Sequence, residues 1–262
     1  MGVLNVTPDS FSDGGDHAEA GIAIAAGRAM IAAGADIIDI GGESTRPGSA
    51  PVPPVLEQRR VLPVVRALGA ETILSVDTRN AATMRAVLEA GARIINDVSA
   101  LHHDPEAASV VASAGCPVIL MHMRGTPTTM QSLASYADVV EEVAAELGDS
   151  LEAAVRAGIS RDAIALDPGI GFAKESGHSL RLLARLDALR RFGRPLLVGA
   201  SRKSFVGRVA NEPNPRARLA GGLAAHVWAV LHGAAIIRTH DVAETRQALA
   251  VIAALNEHVL SK

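Results

Sequence analysis

Eight short apolar runs in the chain end in residues that can hold charge, donate hydrogen bonds or bind a cation. Asp77, Asn96 and Asp167 each close such a run, where a buried carboxylate or amide must find a polar partner. A single residue of this kind could cap the next helix. Three on different runs are better suited to one planar, donor-rich ligand, because a carboxylate accepts two parallel hydrogen bonds from a guanidine-like ring edge.

The last two runs end in cationic and switchable groups. The seventh is followed by GASRKSFVG (199–207), which contains Lys203, and the eighth by RTHDV (238–242), which contains Arg238 and His240. Lysine and arginine bind anions, and histidine changes its charge near neutral pH. These residues predict that an anion is bound close to the three acceptors.

Two polar segments near the N-terminus each allow two interpretations. NVTPDSFSDGG (5–15) begins at Asn5, whose amide oxygen could bind a cation, but its composition is also that of a turn. GGESTRPGS (41–49) carries glycines, hydroxyls and Arg46 that could surround an anion, but it could equally be a solvated loop. Neither segment decides the function by itself.

Several other functions are excluded by composition and by missing motifs. The sequence has no GxGxxG or GxxxxGK[ST] segment, no Cys and His cluster with zinc spacing and no GxSxG segment. Its 25 Lys and Arg and 28 Asp and Glu are interspersed and give a net charge of −3, so no nucleic-acid partner is expected. A single cysteine and the lack of an N-terminal secretory pattern predict a cytoplasmic protein.

The elements that must position these residues follow from one pattern: an Ala- and Leu-rich stretch, a glycine and a β-branched run. Each glycine is predicted to end a helix in the left-handed conformation; the seven are Gly34, Gly69, Gly91, Gly115, Gly158, Gly193 and Gly233. The predicted strands are 2–6, 36–40, 72–76, 93–97, 117–121, 163–167, 195–199 and 234–239. Asp104, before Pro105, and Asn80, before a helix at 81–90, are predicted caps. The loops after strands 1, 2 and 7 are expected to be the longest.

Strands that alternate with helices predict a parallel sheet with right-handed crossovers, either open or closed as a barrel. An open sheet gathers its site mainly at one switch point, whereas a barrel brings all its strand ends around one mouth. Because polar residues follow all eight strands, a closed (β/α)8 barrel explains the pattern better. The 262 residues are expected to form one such domain, with the site at the C-terminal ends of the strands.

Residues 219–237 carry no Asp, Glu, Lys or Arg and approach the length of a membrane span. Three glycines and two histidines within them favour a buried helix that ends near Gly233 and leads into a strand, so no membrane association is expected. The helix at 219–232, with Trp228, has more apolar surface than the outer helix of a monomer needs. We therefore expect a homodimer.

The chain resembles the dihydropteroate synthase family over essentially its whole length. The segments that carry the resemblance are, in order, MGVLNVTPDSFSDGG, GGESTRPG, SVDT, INDVSA, MHMRGTP, DPGIGFAK, GASRKSF and RTHDV. The resemblance implies a barrel enzyme of folate biosynthesis that uses Mg²⁺. Its implied substrates are the pyrophosphate ester of 6-hydroxymethyl-7,8-dihydropterin and p-aminobenzoate. Ala173 stands where many family members have glycine.

The resemblance also implies roles for individual residues. The implied pterin-binding residues are Asp77, Asn96, Met121, Asp167, Phe172, Ser201, Lys203 and Arg238. Pyrophosphate would be bound by Asn5, Arg46, Arg238 and His240, with Asn5 also the metal ligand. Phe11, Thr45, Pro47 and Lys203 would border p-aminobenzoate. The implied catalytic residues are Asp77, Lys203, Arg46 and His240.

The chemistry of these substrates favours a dissociative, SN1-like substitution, because an arylamine is a weak nucleophile and an electron-rich dihydropterin can stabilise a methylene cation. Two alternatives to the synthase remain. A methyltetrahydrofolate:corrinoid methyltransferase would share the pterin-binding carboxylates, but GGESTRPG and SRKS have no evident task in methyl transfer. A non-catalytic pterin-binding barrel is the other alternative, and a turnover assay distinguishes it.

Overall fold

The computed structural model of the chain describes residues 1–7 and 15–260. The strands are β1 (Gly2–Asn5), β2 (Ile37–Gly41), β3 (Ile73–Asp77), β4 (Ile94–Asp97), β5 (Val118–Met121), β6 (Ile164–Asp167), β7 (Leu196–Val198) and β8 (Ala234–Ile237). The helices are α1 (Gly15–Ala32), α2 (Pro54–Leu68), α3 (Ala81–Glu89), α4 (Ala107–Ala114), α5 (Val139–Arg156), α6 (Ser176–Ala184), α7 (Ser204–Val209), α8 (Leu219–Leu231) and α9 (Val242–Leu260). Each of the eight predicted strands is confirmed to within two residues.

The strands form one curled parallel sheet in which the neighbours follow chain order from β1 to β8. Beyond these strands, the backbone N–H of Val3 donates to the carbonyl of Thr239 at 2.9 Å. The N–H of Thr239 donates in turn to the carbonyl of Met1 at 3.0 Å. The segment after β8 therefore lies beside β1. Since all strands are parallel, their C-terminal ends share one edge of the sheet.

The core lies between the outer face of this sheet and the surrounding helices. Ile38 and Ile40 of β2 are fully buried, as β-branched residues in a sheet covered by helices are expected to be. Helix α2 buries residues 61, 64, 65 and 68, which share one face at helical spacing. Strand residues that alternate with the buried apolar ones point away from the helices. Asn5, Asp77, Asn96 and Asp167 are among them.

Six of the seven helix-ending glycines have the predicted left-handed conformation, with φ between 61° at Gly193 and 114° at Gly91. Gly69 is the exception, because its φ is −61°. Its N–H donates to Val65 at 2.9 Å, so the helical turn continues through it and the chain reverses only when Glu71 donates to Leu68. The left-handed prediction for Gly69 was therefore wrong.

The two predicted helix caps have different outcomes, because Asn80 makes no local capping bond whereas Asp104 does. Asn80 does precede α3, but its side chain makes no capping bond and donates instead to Glu57 at 2.9 Å. Asp104 lies ahead of the first residue of α4, and its Oδ1 accepts from the N–H of Glu106 at 3.0 Å, in the turn that leads into that helix. Its Oδ2 accepts from Ala81 at 2.9 Å and so caps α3 as well. A partner distant in sequence replaces the local one only at Asn80.

The loop between β5 and α5, residues 122–138, is the longest of those the structure fully describes. The expectation that the longest loops follow strands 1, 2 and 7 was wrong in omitting this one. Its residues 130–133 form a short 3-10 turn before α5 starts. The apolar stretch at 219–237 divides into α8 and β8, as predicted. Among the described residues, no helix is both long enough and apolar enough to cross a membrane.

Candidate active site

Four polar or open positions lie side by side across the ends of the first four strands. Asn5 pairs with Gly41, Gly41 with Asp77, and Asp77 with Asn96. Gly41 leaves a gap in this row: a Cβ there would lie 3.6 Å from Asn5 Oδ1 and 3.7 Å from Asp77 Cβ. The side chains of Asn5 and Asp77 thus converge over Gly41, on the face of the sheet away from the helices.

Arg238, which follows β8, joins this row through two carboxylates. Its Nε donates to Asp39 Oδ2 at 2.7 Å, and its Nη2 donates to Asp77 Oδ2 at 3.1 Å. Asp39 is fully buried in the middle of β2 and was missed by the sequence analysis. A signal was present, since Asp39 alternates with Ile38 and Ile40 and so must point to the same face as the end of the strand.

Two carboxylates thus share one guanidinium, and the charges do not balance if both are ionised. Burial raises the pKa of Asp77 to about 8, with the Asp39 carboxylate adding to the shift and Arg238 opposing it. Burial acts to lower the pKa of Arg238, but Asp39 and Asp77 hold it above its usual value. Near pH 7 the stable arrangement is a proton on Asp77 and a charged Arg238.

Asn96 is oriented by the same aspartate. Its Nδ2 donates to Asp39 Oδ2 at 3.1 Å, and because a carboxylate can only accept, the amide nitrogen must face Asp39. The amide oxygen of Asn96 is therefore turned away from Asp39. Like the carboxylates of Asp77 and Asp167, this oxygen is an acceptor.

Asp167 is the last residue of β6. It lies at the same edge of the sheet, away from the row at the ends of β1 to β4. Its Oδ1 accepts from the N–H of Gly169 at 2.7 Å. Burial raises the pKa of Asp167, while this hydrogen bond and the nearby Lys203 oppose the shift. Met121 is its register partner on β5 and is buried. One carboxylate oxygen of Asp167 is thus committed to its own loop.

Lys203 and Phe172 form a contact between the loop after β7 and the loop after β6. The ammonium of Lys203 lies 4.2 Å from the centre of the Phe172 ring, a cation–π distance. Burial, then repulsion by Arg238, lowers the pKa of Lys203 to about 8. Gly171 allows the approach, since a Cβ there would lie 3.3 Å from the Lys203 side chain.

His240 is tied to the loop after β7. Its Nδ1 lies 3.0 Å from Ser201 Oγ, and Ser201 is itself buried. Burial, then the charges of Arg202 and Arg238, lowers the pKa of His240 to about 4. The prediction of switchable charge near neutral pH is therefore wrong for this residue, which is a neutral ring at pH 7.

The loop after β2 has a fixed base. Glu43 is buried and accepts two hydrogen bonds from Arg79, at 2.9 and 3.1 Å, and a third from the N–H of Val52. Paired hydrogen bonds between a guanidinium and a carboxylate hold both groups in one plane. This buried pair connects the loops after β2 and β3, and the sequence analysis did not predict it.

The tip of the same loop is more exposed than its base. Thr45 is half-buried, Arg46 and Pro47 are exposed, and Gly48 donates to the carbonyl of Pro127 at 2.9 Å. Within residues 1–7 and 15–260, no hydrogen bond or ion pair is found for the Arg46 side chain. The Thr45 to Pro47 segment is thus partly or fully exposed, and Phe11 lies outside the described residues.

Comparisons with known proteins identify the family to which the chain belongs. A family profile described as pterin binding enzyme matches residues 1–240. The dihydropteroate synthase of Escherichia coli K12 is 48% identical over 97% of this chain and 90% of the relative. The solved Xanthomonas albilineans dihydropteroate synthase with 4-aminobenzoic acid is 46% identical, covers 98% of this chain and 92% of that chain, and has a TM-score of 0.93.

A second solved structure of the Xanthomonas albilineans enzyme, in complex with 7,8-dihydropteroate, is 43% identical with a TM-score of 0.88, and covers 98% of this chain and 92% of that chain. The chain therefore belongs to the pterin-binding enzyme family. Within that family it groups with the dihydropteroate synthases, which are enzymes that transfer an alkyl group. The resemblance seen in the sequence is confirmed.

Proposed function

We propose that the chain forms 7,8-dihydropteroate and pyrophosphate from 6-hydroxymethyl-7,8-dihydropterin pyrophosphate and p-aminobenzoate. The observation that carries the proposal is the gathering of three acceptors, Asp77, Asn96 and Asp167, with two cations at one sheet edge. The complexes of relatives with 4-aminobenzoic acid and with 7,8-dihydropteroate support the same substrates.

The architecture that we propose for this activity is a closed (β/α)8 barrel formed by residues 1–262 as a single domain. The hydrogen bonds that Thr239 forms with Val3 and Met1 support closure, because they continue the parallel pairing from the last strand to the first. Closure would bring Arg238 into the same mouth as Asp77, where the two side chains meet.

The pterin ring would lie among the acceptors and be enclosed by the side chains around them. Asp77, Asn96 and Asp167 would accept hydrogen bonds from its amino group and ring N–H groups. The remaining pocket residues in this proposal are Met121, Phe172, Ser201, Lys203 and Arg238. A donor edge facing several acceptors gives specificity, since an analogue without those N–H groups would leave buried carboxylates unpaired.

The pyrophosphate would bind at the other side of the mouth. Asn5, Arg46, Arg238 and His240 would contact it, with His240 acting as a neutral donor. Phe11, Thr45, Pro47 and Lys203 would border p-aminobenzoate once the exposed tip of the second loop folds inward from its fixed base at Glu43 and Arg79.

The donor set fits Mg²⁺ that is bound chiefly by substrate phosphates and water. Within the described parts of the chain, no group of three or more His, Cys, Asp or Glu could hold a metal ion. Mg²⁺ commonly uses only one or two protein oxygens in phosphate sites. Asn5, over the gap at Gly41, would be that ligand. The ion would supply positive charge where the phosphate oxygens leave.

The reaction would proceed by dissociative substitution. Arg238 and Arg46 would hold the departing pyrophosphate, while Asp167, together with Asp77 once that carboxyl is ionised, would favour positive charge on the pterin methylene. The amine of p-aminobenzoate would then form the new carbon–nitrogen bond and release one proton. Asp77, Lys203, Arg46 and His240 are the residues that would contact the reacting groups. Inward closure of the second loop would exclude water that competes for the cation.

Turnover by the purified protein tests this proposal. We expect dihydropteroate from the two substrates with Mg²⁺ and little or none after chelation. In the same assay, ¹⁸O placed in the carbon–oxygen bridge of the pterin pyrophosphate should move to non-bridging positions in recovered substrate, because ionisation precedes amine attack. Absence of turnover would refute the function, whereas turnover without oxygen exchange would refute only the dissociative step.

We also propose a homodimer, and the exposed apolar side chains of α8 and α9 support this proposal. Trp228 and Leu231 of α8 are 45% and 50% exposed, and Val251 and Leu255 of α9, which packs against α8, are more exposed still. We expect light scattering at micromolar concentration to give twice the mass of one chain. Trp228→Glu should shift that mass toward one chain, while Val55→Glu, at an exposed valine on α2, should leave it unchanged. A single-chain mass for the unaltered protein would rule out this dimer.

A further inference from the structure

A buried ammonium group near the site has no part in the chemistry above. Lys174 is one of only three lysines in the chain, and it is 4% exposed. Its Nζ lies 2.7 Å from His122 Nδ1, 3.0 Å from the carbonyl of Phe172 and 3.4 Å from the carbonyl of His122. Three acceptors thus match the three N–H groups of a charged lysine.

His122 connects Lys174 to α5. Because Nδ1 accepts from Lys174, the ring proton of a neutral His122 is on Nε2, which donates to Glu146 at 2.9 Å. Burial, and the charges of Lys174 and Arg124, lower the pKa of His122, although Glu146 opposes the shift. The ring therefore stays neutral and keeps this tautomer.

Further contacts lead from Glu146 back to Ala173, the residue that precedes Lys174. Glu146 accepts from Arg124 Nε at 3.0 Å, and the Arg124 guanidinium lies 4.1 Å from the centre of the Tyr136 ring. The Tyr136 hydroxyl donates to the carbonyl of Ala173 at 2.9 Å. We call this closed circuit the loop clasp; it consists of His122, Arg124, Tyr136, Glu146, Ala173 and Lys174.

The loop clasp joins two backbones that approach each other closely. A Cβ at Gly169 would lie 2.0 Å from the carbonyl oxygen of His122, so only glycine fits there. Ala173 has φ of 48°, in the left-handed region that costs a residue with a side chain roughly 1 kcal/mol or more. Two interactions of the loop clasp flank this strained residue, namely the hydrogen bond from Tyr136 to its carbonyl and the contacts of the neighbouring Lys174.

We propose that Lys174 is a positioning residue for the pterin site, which holds the loop after β6 against the loop after β5; the proposal rests on the proposed function. The fixed loop includes Gly169, whose N–H binds Asp167, and Phe172, whose carbonyl binds Lys174 and whose ring meets Lys203. Without Lys174, the orientation of the Asp167 carboxylate and the position of the Phe172 ring are no longer fixed before the ligand binds.

The charge of Lys174 makes this tie dependent on pH. The titratable and charged groups that face it are Asp167, Glu146, Arg124, Lys203 and His122. Burial lowers the pKa of Lys174 to about 7, with Asp167 and Glu146 opposing the shift. A neutral amine has only two N–H groups for three acceptors, so one contact is lost as the pH rises through 7.

Lys174→Met tests the proposal. We expect the affinity for pterin pyrophosphate, measured by calorimetry at pH 6.5 on folded protein, to fall by roughly 10- to 100-fold, the usual range for a lost charge-assisted contact. In the unaltered protein the affinity should decline as the pH rises through 7, and in Lys174→Met this decline should be smaller, leaving only the contribution of Asp77 and Lys203 near pH 8. Arg161→Met removes an exposed ion pair with Glu152 and should change neither quantity.

A structural role alone would lower the melting temperature and leave both the affinity of the folded protein and its pH profile unchanged. That result for Lys174→Met would overturn the proposal. If this variant does not fold, Tyr136→Phe opens the loop clasp at its far end and should weaken pterin pyrophosphate binding several-fold. Unchanged binding in Tyr136→Phe would then overturn the proposal.

The small number of lysines allows a direct measurement. With lysine labelled at ¹³Cε, one of three signals should titrate near pH 7, vanish in Lys174→Met and shift when pterin pyrophosphate binds. A Lys174 signal that titrates above pH 9, or one that the ligand does not move, contradicts the proposal. If the unaltered protein does not bind pterin pyrophosphate at all, the proposed function fails first, and the titration still reports on the clasp.

Discussion

Asp167→Asn is expected to weaken pterin pyrophosphate binding by roughly 30-fold to several thousand-fold, or about 2–5 kcal/mol, and to leave the melting temperature nearly unchanged. One oxygen of Asp167 binds the N–H of Gly169, and an asparagine can keep this bond by placing its own oxygen there. Its NH₂ group then replaces the free carboxylate oxygen. A donor would face the donor edge of the pterin, and the charge-assisted contact would be lost.

Asp97→Asn is the matched control for this prediction. Asp97 is also a buried aspartate at a strand end, but both of its oxygens bind its own loop, at Ser99 and Leu101. It should therefore show the opposite result, a lower melting temperature with unchanged pterin affinity. Calorimetric titration and thermal unfolding of both variants give the comparison. If Asp167→Asn behaved as Asp97→Asn is expected to behave, Asp167 would be a structural cap and not a ligand contact.

The second large effect concerns the two carboxylates that share Arg238. Asp39→Ala should lower the free energy of unfolding by about 3 kcal/mol, the lower end for a broken buried pair, because Asp77 still contacts Arg238. The same change leaves the amide nitrogen of Asn96 without its acceptor. Urea denaturation at pH 7 measures the loss.

Asp77→Asn is the matched variant at the other carboxylate. Because the pKa of Asp77 in the folded protein is about 8, well above its value of 3.8 when unfolded, the folded state binds the proton more tightly. The resulting contribution to the free energy of unfolding is complete below pH 4 and is lost as the pH rises from 4 through 8. At pH 7 Asp77 is mostly neutral, so asparagine should cost less than about 1 kcal/mol.

The pH dependence separates the two carboxylates further. Asp77→Asn should remove the decline in stability between pH 4 and 8 that the unaltered protein shows at this group, while Asp39→Ala should lower stability at each pH in that range. Equal losses from the two substitutions at pH 7 would contradict the assignment of the proton to Asp77.

The strands and the row of polar strand ends could be predicted because their information is local. An apolar run that ends in Asp77 or Asn96 specifies both the strand and the edge where its last side chain lies. Asp39 escaped prediction because it lies within a strand, where only the alternation with Ile38 and Ile40 shows its direction. The sequence therefore predicted which strand ends form the site, but not which buried charge orients them.

The errors arise where residues distant in sequence compete with neighbours. Glu57 draws Asn80 away from its helix, and the loop clasp joins Lys174 to residues 28 to 52 positions earlier through spacing that the sequence does not show. The role of Arg46, indicated by its own segment and by the resemblance, stays a prediction, and its side chain is exposed. Phe11 lies outside the described residues.

The alanine at position 173 has a consequence for the entropy of ligand binding. A glycine, which the resemblance gives as common at this position, can adopt many backbone conformations, and a ligand that needs one of them must restrict the rest. The methyl group of Ala173 removes most of those alternatives, and the φ of 48° is strained but already selected in the folded chain. The ordering of the loop after β6 is therefore completed during folding, and binding begins from a preorganised wall.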